Sequence, residues 1–135
     1  MSNTHSGGCL CGSVQYVVNG ALRDVANCHC SQCRRTHGHF AAYSAAALSD
    51  FTLKCSRSLK WYQSSPRARR GFCSTCGASL FWLPEGDDYV AIAAGTLDQP
   101  TGLRTIADIY VGDAGDYYTI ADGTEKYPGT KDPIS

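Results

Sequence analysis

No apolar run in this chain approaches the roughly 20 residues a bilayer-spanning helix needs, so the sequence holds no membrane span. The N-terminal stretch Met1-Ser2-Asn3-Thr4-His5-Ser6-Gly7-Gly8 lacks both the basic start and the apolar core of a secretory signal, and cytoplasmic residence is the default expectation. Charged side chains are sparse at 18%, with 12 basic against 12 acidic, which argues against a long nucleic-acid footprint. Repeats and low-complexity tracts are missing, and helical periodicity is nearly so. At 135 residues the chain is read as one domain, 1–135, without a linker and small enough to gain from a metal staple.

Cysteine, by contrast, is abundant, and seven of the 8 fall into three tight clusters. They are Cys9-Leu10-Cys11, Cys28-His29-Cys30-Ser31-Gln32-Cys33 and Cys73-Ser74-Thr75-Cys76. Thiols so close in sequence make poor disulfide partners, but their sulfurs can converge on one ion. A reducing compartment would keep them free. Two pairs and one triplet allow one closed four-sulfur site and one three-sulfur site with a position to spare.

The charge is unevenly placed. Residues 1–83 carry 9 Lys or Arg against 2 Asp, a balance of +7, while residues 84–135 carry 3 against 10, a balance of −7. Seven thiolates on two divalent ions would lower the first figure to about +4, so the cysteine-bearing part is still the natural place for an anion. Equally, the two parts could attract each other within the fold or across the contact of a homo-oligomer.

Periodicity is mostly that of strands. Val14, Tyr16 and Val18 alternate with Ser13, Gln15 and Val17; Phe51 and Leu53 with Thr52 and Lys54; Leu59 and Trp61 with Lys60 and Tyr62. Short apolar runs at residues 79–83, 89–93 and 105–111 are divided by the turn-rich stretches 84–88 and 97–102. One short helix is expected from Ser31, its cap, through Cys33, Arg34 and Arg35 to Gly38. The acidic segment after Val111 reads as loop with at most a turn of helix.

In Cys73-Ser74-Thr75-Cys76-Gly77 the two-residue gap lets both sulfurs face one ion, with Gly77 free to take the positive φ of a tight turn. The shorter Cys9-Leu10-Cys11-Gly12 places its sulfurs on one face of an extended chain. Together they would form a structural zinc site. Strand-like Leu80-Phe81-Trp82 after the glycine argues against a thioredoxin-type redox pair. In the triplet, an extended backbone turns His29 away from Cys28 and Cys30, so a hydrogen-bonded role beside the site is expected of it rather than ligation. Cys28, Cys30 and Cys33 would leave one exchangeable position, the usual form of a catalytic zinc. Three thiolates on a divalent ion leave the shell formally negative, a poor water activator that favours an incoming thiolate. Arg34 and Arg35 could pair with carboxylates of an anionic thiol. Cys55 is expected to be a buried strand residue outside any site. His37 and His39 follow the triplet closely enough to contact substrate or assist proton transfer, although structural roles are the commoner outcome.

The order Gly8-Cys9-Leu10-Cys11-Gly12-Ser13-Val14, Cys28-His29-Cys30-Ser31-Gln32-Cys33-Arg34-Arg35, Trp61-Tyr62-Gln63-Ser64-Ser65-Pro66 and Gly71-Phe72-Cys73-Ser74-Thr75-Cys76-Gly77 resembles the glutathione-dependent formaldehyde-activating family, also called the centromere-protein-V domain family. Resemblance continues through Ala94-Gly95-Thr96-Leu97-Asp98 and Gly115-Asp116-Tyr117-Tyr118. It implies a mainly β fold, a β-tent of small antiparallel sheets stapled by zinc. It implies two Zn2+ per chain, one structural on Cys9, Cys11, Cys73 and Cys76 and one open on Cys28, Cys30 and Cys33. It implies glutathione as co-substrate and a carbon-sulfur lyase activity joining it to formaldehyde as S-hydroxymethylglutathione. Because that reaction also runs uncatalysed, a member could instead bind or carry glutathione. Two other functions stay open from the residues. One is a zinc-structured binding module that uses Arg67, Arg69 and Arg70 on phosphates, although no nucleic-acid partner is expected from the charge balance. The other is a redox or metal-handling role, which lacks an evident resolving cysteine.

Overall fold

Alternation of large apolar residues puts Val14, Tyr16 and Val18 on one face of a strand, and that face is sealed from solvent at 0, 1 and 0% exposure. In the computed structural model, which describes residues 4–130, this strand is β2 (Val14–Asn19), paired antiparallel with β1 (Thr4–Gly8). Met1, Ser2, Asn3 and positions 131–135 of the expected domain lie outside the described residues. There follow β3 (Val25–Cys28), α1 (Ser31–His37), β4 (Ala41–Ala47), β5 (Phe51–Ser56), β6 (Leu59–Ser65), β7 (Ala68–Cys73), β8 (Ser79–Pro84), β9 (Tyr89–Ala93), β10 (Thr105–Ile109) and β11 (Glu125–Lys126). Strand makes up 47% of the structure and helix 13%, so the mainly β expectation holds.

The strands form a three-stranded sheet, β1-β2-β5, and a longer one ordered β11-β10-β3-β4-β9-β8-β7-β6. Most pairings are antiparallel, while β10 runs parallel to both β3 and β11. An isolated bridge from Gly7 to Leu97 ties the sheets together, reinforced by the Ser6 hydroxyl donating to Asp98 at 2.6 Å.

The centre of the long sheet decides where the cysteines go. Along β9, Val90 and Ile92 enter a core cluster with Val14, Tyr16, Leu80, Phe81 and Cys73, whereas Ala91 and Ala93 enter another with Cys28, Cys33, Ala41 and Tyr43. Strand periodicity therefore assigns the two clusters to opposite faces. Beside β9, strand β4 reads Ala-Ala-Tyr-Ser-Ala-Ala-Ala, a composition that in isolation favours helix. Packing overrides propensity: between β3 and β9 these small side chains are mostly buried on both faces.

Differences from the sequence expectation have local causes. β1 and β3 escape notice because one is polar and the other only four residues long. β10 stops at Ile109 because Tyr110 takes a left-handed conformation, φ 54. The helix is capped by Cys30, whose sulfur accepts from the Cys33 N–H at 3.3 Å, and not by Ser31. Gly38 ends it as expected, at φ 80. Cys55 lies on β5 but is only half-buried, its thiol donating to the Ser13 carbonyl at 3.2 Å; among the described residues β5 pairs only with β2, and it presents Leu53 and Lys54 to solvent. The segment after Val111 is loop apart from one 3-10 turn and the two residues of β11.

Candidate metal centres

Cys9 and Cys11 come from the turn leaving β1, and Cys73 and Cys76 from the turn leaving β7. Gly12 and Gly77 close these turns at φ 83 and 81, where any side chain would strain the backbone. The four sulfurs all lie within 4.8 Å of one another, with Cys11 at 3.7 Å from both Cys9 and Cys73. Sulfurs at the corners of a tetrahedron with Zn–S of about 2.3 Å would sit about 3.8 Å apart, so the donor set and its spacing fit a zinc-sized ion. Donors surround it: the Val14 N–H reaches Cys9 at 3.3 Å, and the Ser58 hydroxyl and the Thr75 and Cys76 N–H groups reach Cys73 at 3.0, 3.4 and 3.3 Å. Ser13 lies 2.9 Å from Cys11 and 2.6 Å from Ser58. Burial opposes a charge on Cys73, yet the Ser58 hydroxyl and the Cys76 N–H hold its thiol well below the ordinary range.

The second group gathers Cys28 from the end of β3, Cys30 from the helix cap and Cys33 from the first turn of α1, again within 4.8 Å of one another. The Cys28 and Cys33 thiols, with the N–H groups of Cys33 and Gln32, pull Cys30 strongly toward thiolate. Those same thiol contacts and burial push Cys28 up. Three adjacent sulfurs without a cation thus oppose one another's ionisation, whereas a bound cation would favour all three as thiolates.

His29 lies between two of these cysteines but turns the other way, as the extended backbone predicts. It is 1% exposed, and both ring nitrogens are engaged: Nδ1 at 2.5 Å from the Tyr118 hydroxyl and Nε2 at 2.7 Å from Asp108. Neither is left for a metal. Burial opposes charge on Asp108, but hydrogen bonds from Thr124, His29 and Asn27 keep its carboxyl below the usual range.

The triplet opens onto a cavity of about 400 Å³ walled by Ala26, Tyr43, Trp82, Ala91, Ile109 and Tyr110, with two cations, Arg23 and Arg70. Arg70 is 8% exposed. Its guanidinium donates to Tyr43 at 3.1 Å, Gln32 at 3.2 Å, Thr36 at 3.3 Å and the Cys33 sulfur at 3.6 Å, while its Nε has no partner. Arg23 donates to the carbonyls of Asp24 and Tyr43 at 3.1 and 2.8 Å. Arg34 and Arg35 do not line this cavity; Arg35 is exposed on α1 and Arg34 is half-buried. His37 contacts Tyr43 at 3.0 Å from the far side, and burial, aided by Arg70, lowers its pKa to about 4. His39 bonds Tyr117 at 2.6 Å.

Of the basic hairpin, Arg67 and Arg69 are exposed, Arg69 lying over the Trp61 ring at 4.4 Å, but Arg70 points inward. The sequence held a signal for this, since Arg70 shares a strand face with buried Ala68. Arg23 carries no comparable signal: it precedes a four-residue strand and reaches the cavity only through the pairing of β3 with β4.

The family model for the glutathione-dependent formaldehyde-activating enzyme matches residues 4–113, which include all seven clustered cysteines. The chain belongs to this family. A crystal structure of a Rhodobacter sphaeroides protein matches with a TM-score of 0.59 at 23% identity, covering 90% of this chain and 98% of that one. That likeness speaks for the shared fold alone. Among the described residues, no helix is long and apolar enough to cross a membrane.

Proposed function

We propose that this family member is a two-zinc protein of carbon-sulfur chemistry, acting on glutathione or a related thiol and its aldehyde adduct. Cys9, Cys11, Cys73 and Cys76 would hold the structural zinc, and Cys28, Cys30 and Cys33 the working one. The observation that carries the proposal is that the three-cysteine group, incomplete by one ligand, forms a wall of a cavity that also holds two arginines. What the metal supplies when bound is a fourth position that accepts a thiolate and keeps it deprotonated near neutral pH.

The chain's own residues do the rest. The cavity falls within the range of roughly 300–1,000 Å³ typical of small-molecule sites. Its apolar wall of Trp82, Ala91, Ile109 and Tyr110 excludes water around the reacting atoms. Arg70 compensates the formal −1 of three thiolates on a divalent ion through its contact with Cys33. With Arg23 it gives the cavity the positive character that would hold a carboxylate of the thiol, the task the sequence assigned to Arg34 and Arg35. In the reaction the thiol gives up its S–H proton, the resulting thiolate sulfur forms a bond to the formaldehyde carbon, the carbonyl π pair moves to oxygen, and that oxygen takes up a proton in place of the one the thiol lost, giving the S-hydroxymethyl adduct. Positioning the two reactants in one cavity is how such a site would accelerate a reaction that also runs in water. Unbridged thiols throughout suit a reducing compartment such as the cytoplasm.

The test is zinc content, glutathione affinity and the rate of S-hydroxymethylglutathione exchange measured on one preparation. Two zinc ions, only one of them perturbed by glutathione, with exchange faster than the uncatalysed rate, are expected. Glutathione binding without acceleration would make the protein a carrier, and no glutathione binding would sink the proposal.

A further inference from the structure

The family match ends at residue 113, yet the chain beyond it returns to the three-cysteine group from two sides. On one side Tyr118 reaches back to His29, while Tyr117 bonds His39 and both tyrosine rings pack against it. On the other, β11 runs parallel along the free edge of β10. There the Thr124 hydroxyl donates to Asp108, the Tyr127 N–H donates to the Asp108 carbonyl at 3.0 Å, and the Val111 and Tyr110 N–H groups donate to residues 127 and 129 at 3.2 and 3.1 Å. Tyr127 packs against the core cluster that contains Cys28 and Cys33, and Thr130 lines the cavity.

These contacts converge on one side chain. His29 is flanked by Cys28 and Cys30, is fully buried, and spends one nitrogen on Tyr118 and the other on Asp108, which Thr124 holds in turn. Its N–H also donates to the Ile109 carbonyl at 3.0 Å. A loop of irregular backbone that must present two sulfurs to a third has little stiffness of its own. Partners that fix such a loop from behind are what set ligand direction in metal sites.

We infer that residues 114–130 form a strap that positions the loop of Cys28, His29 and Cys30, with His29 as the positioning residue through which it acts. The strap governs how long the three-cysteine group retains a metal and how well its thiols are shielded, and it leaves the four-cysteine group unaffected. This rests on the metal-binding part of the proposal above and not on its thiol chemistry.

Tyr118→Phe removes one hydroxyl from the far end of the network, and Thr124→Val removes another, both in the full chain. In zinc-loaded protein, a chromogenic chelator should withdraw one ion about tenfold faster from either variant than from the parent, with the second ion released at the parent rate. Alkylation mapped by mass spectrometry should show Cys28, Cys30 and Cys33 gaining label faster in the variants, with Cys73 unchanged. Unaltered release of both ions, or equal acceleration of both, overturns the inference. Should the parent bind a single zinc, the metal proposal fails separately and the alkylation pattern decides: faster labelling confined to the triplet upholds the strap, and uniform or unchanged labelling overturns it.

Discussion

The two cysteine groups share ligand chemistry and differ in nearly everything around it. The four-cysteine group knits two turns that are more than sixty residues apart and is saturated with hydroxyl and N–H donors. The three-cysteine group lies on the other face of the same sheet, at a cavity, with an arginine against one sulfur. The two groups thus differ in sulfur count and in the wall each faces. One is enclosed by backbone turns, the other by a cavity with two cations.

Breaking the staple should have the largest effect. Cys73→Ser puts a hydroxyl at a fully buried ligand position, and loss of the metal would remove on the order of 10 kcal/mol of folding free energy. Circular dichroism should show an unfolded chain with neither zinc retained; a folded variant holding two zinc ions would erase the distinction between the groups.

Cys33→Ser should act on the other side alone. One zinc is expected to persist, with near-parental melting and no thiol-dependent activity, by metal analysis and exchange kinetics. Collapse of the whole fold would mean that both groups are staples.

Arg70→Met should keep the two zinc ions and weaken glutathione binding by about 2–5 kcal/mol, the usual cost of removing one partner of a buried charged hydrogen bond. Calorimetric titration measures this, and an unchanged affinity would take Arg70 out of the thiol site. Arg34→Met and Arg35→Met are expected to leave that affinity near the parent's, because neither residue lines the cavity.

The smallest effect concerns acid. His37 has its pKa lowered from 6.5 to about 4 by burial and by Arg70, so the folded state binds its proton less readily than the unfolded chain does. Its contribution is fully present above pH 6.5 and is lost as pH falls toward about 4. His37→Gln should flatten that part of the urea-midpoint profile and leave the neutral region unaltered. An unchanged slope would assign the acid sensitivity to other groups.

Much of this organisation was legible before any coordinates. The division into four and three sulfurs, the tight-turn glycines after Cys11 and Cys76, the short helix after Cys30, the alternation in β2 and the apolar run of β9 are all short-range patterns, and all appear in the structure. His29 was also readable as a residue facing away from its neighbours, because strand periodicity is local. Its partners were not, since Asp108 and Tyr118 lie 79 and 89 positions away. Three nearby arginines read as a phosphate-binding patch, whereas the alternation leaves Arg67 and Arg69 exposed and turns Arg70 inward beside Ala68. β4 was missed because five alanines carry no strand signal until β3 and β9 enclose them.

Sequence alone determined which cysteines could share an ion, since a gap of one or two residues limits how far apart two sulfurs can be. It determined the strand-rich character and family membership through the same local motifs. Tertiary structure decided that the two groups occupy opposite faces of one sheet, that Arg70 and Arg23 rather than Arg34 and Arg35 share the cavity, and that the last segment returns to brace His29. Those outcomes depend on which strand lies beside which and what covers each face, and that follows from long-range packing that no local spacing encodes.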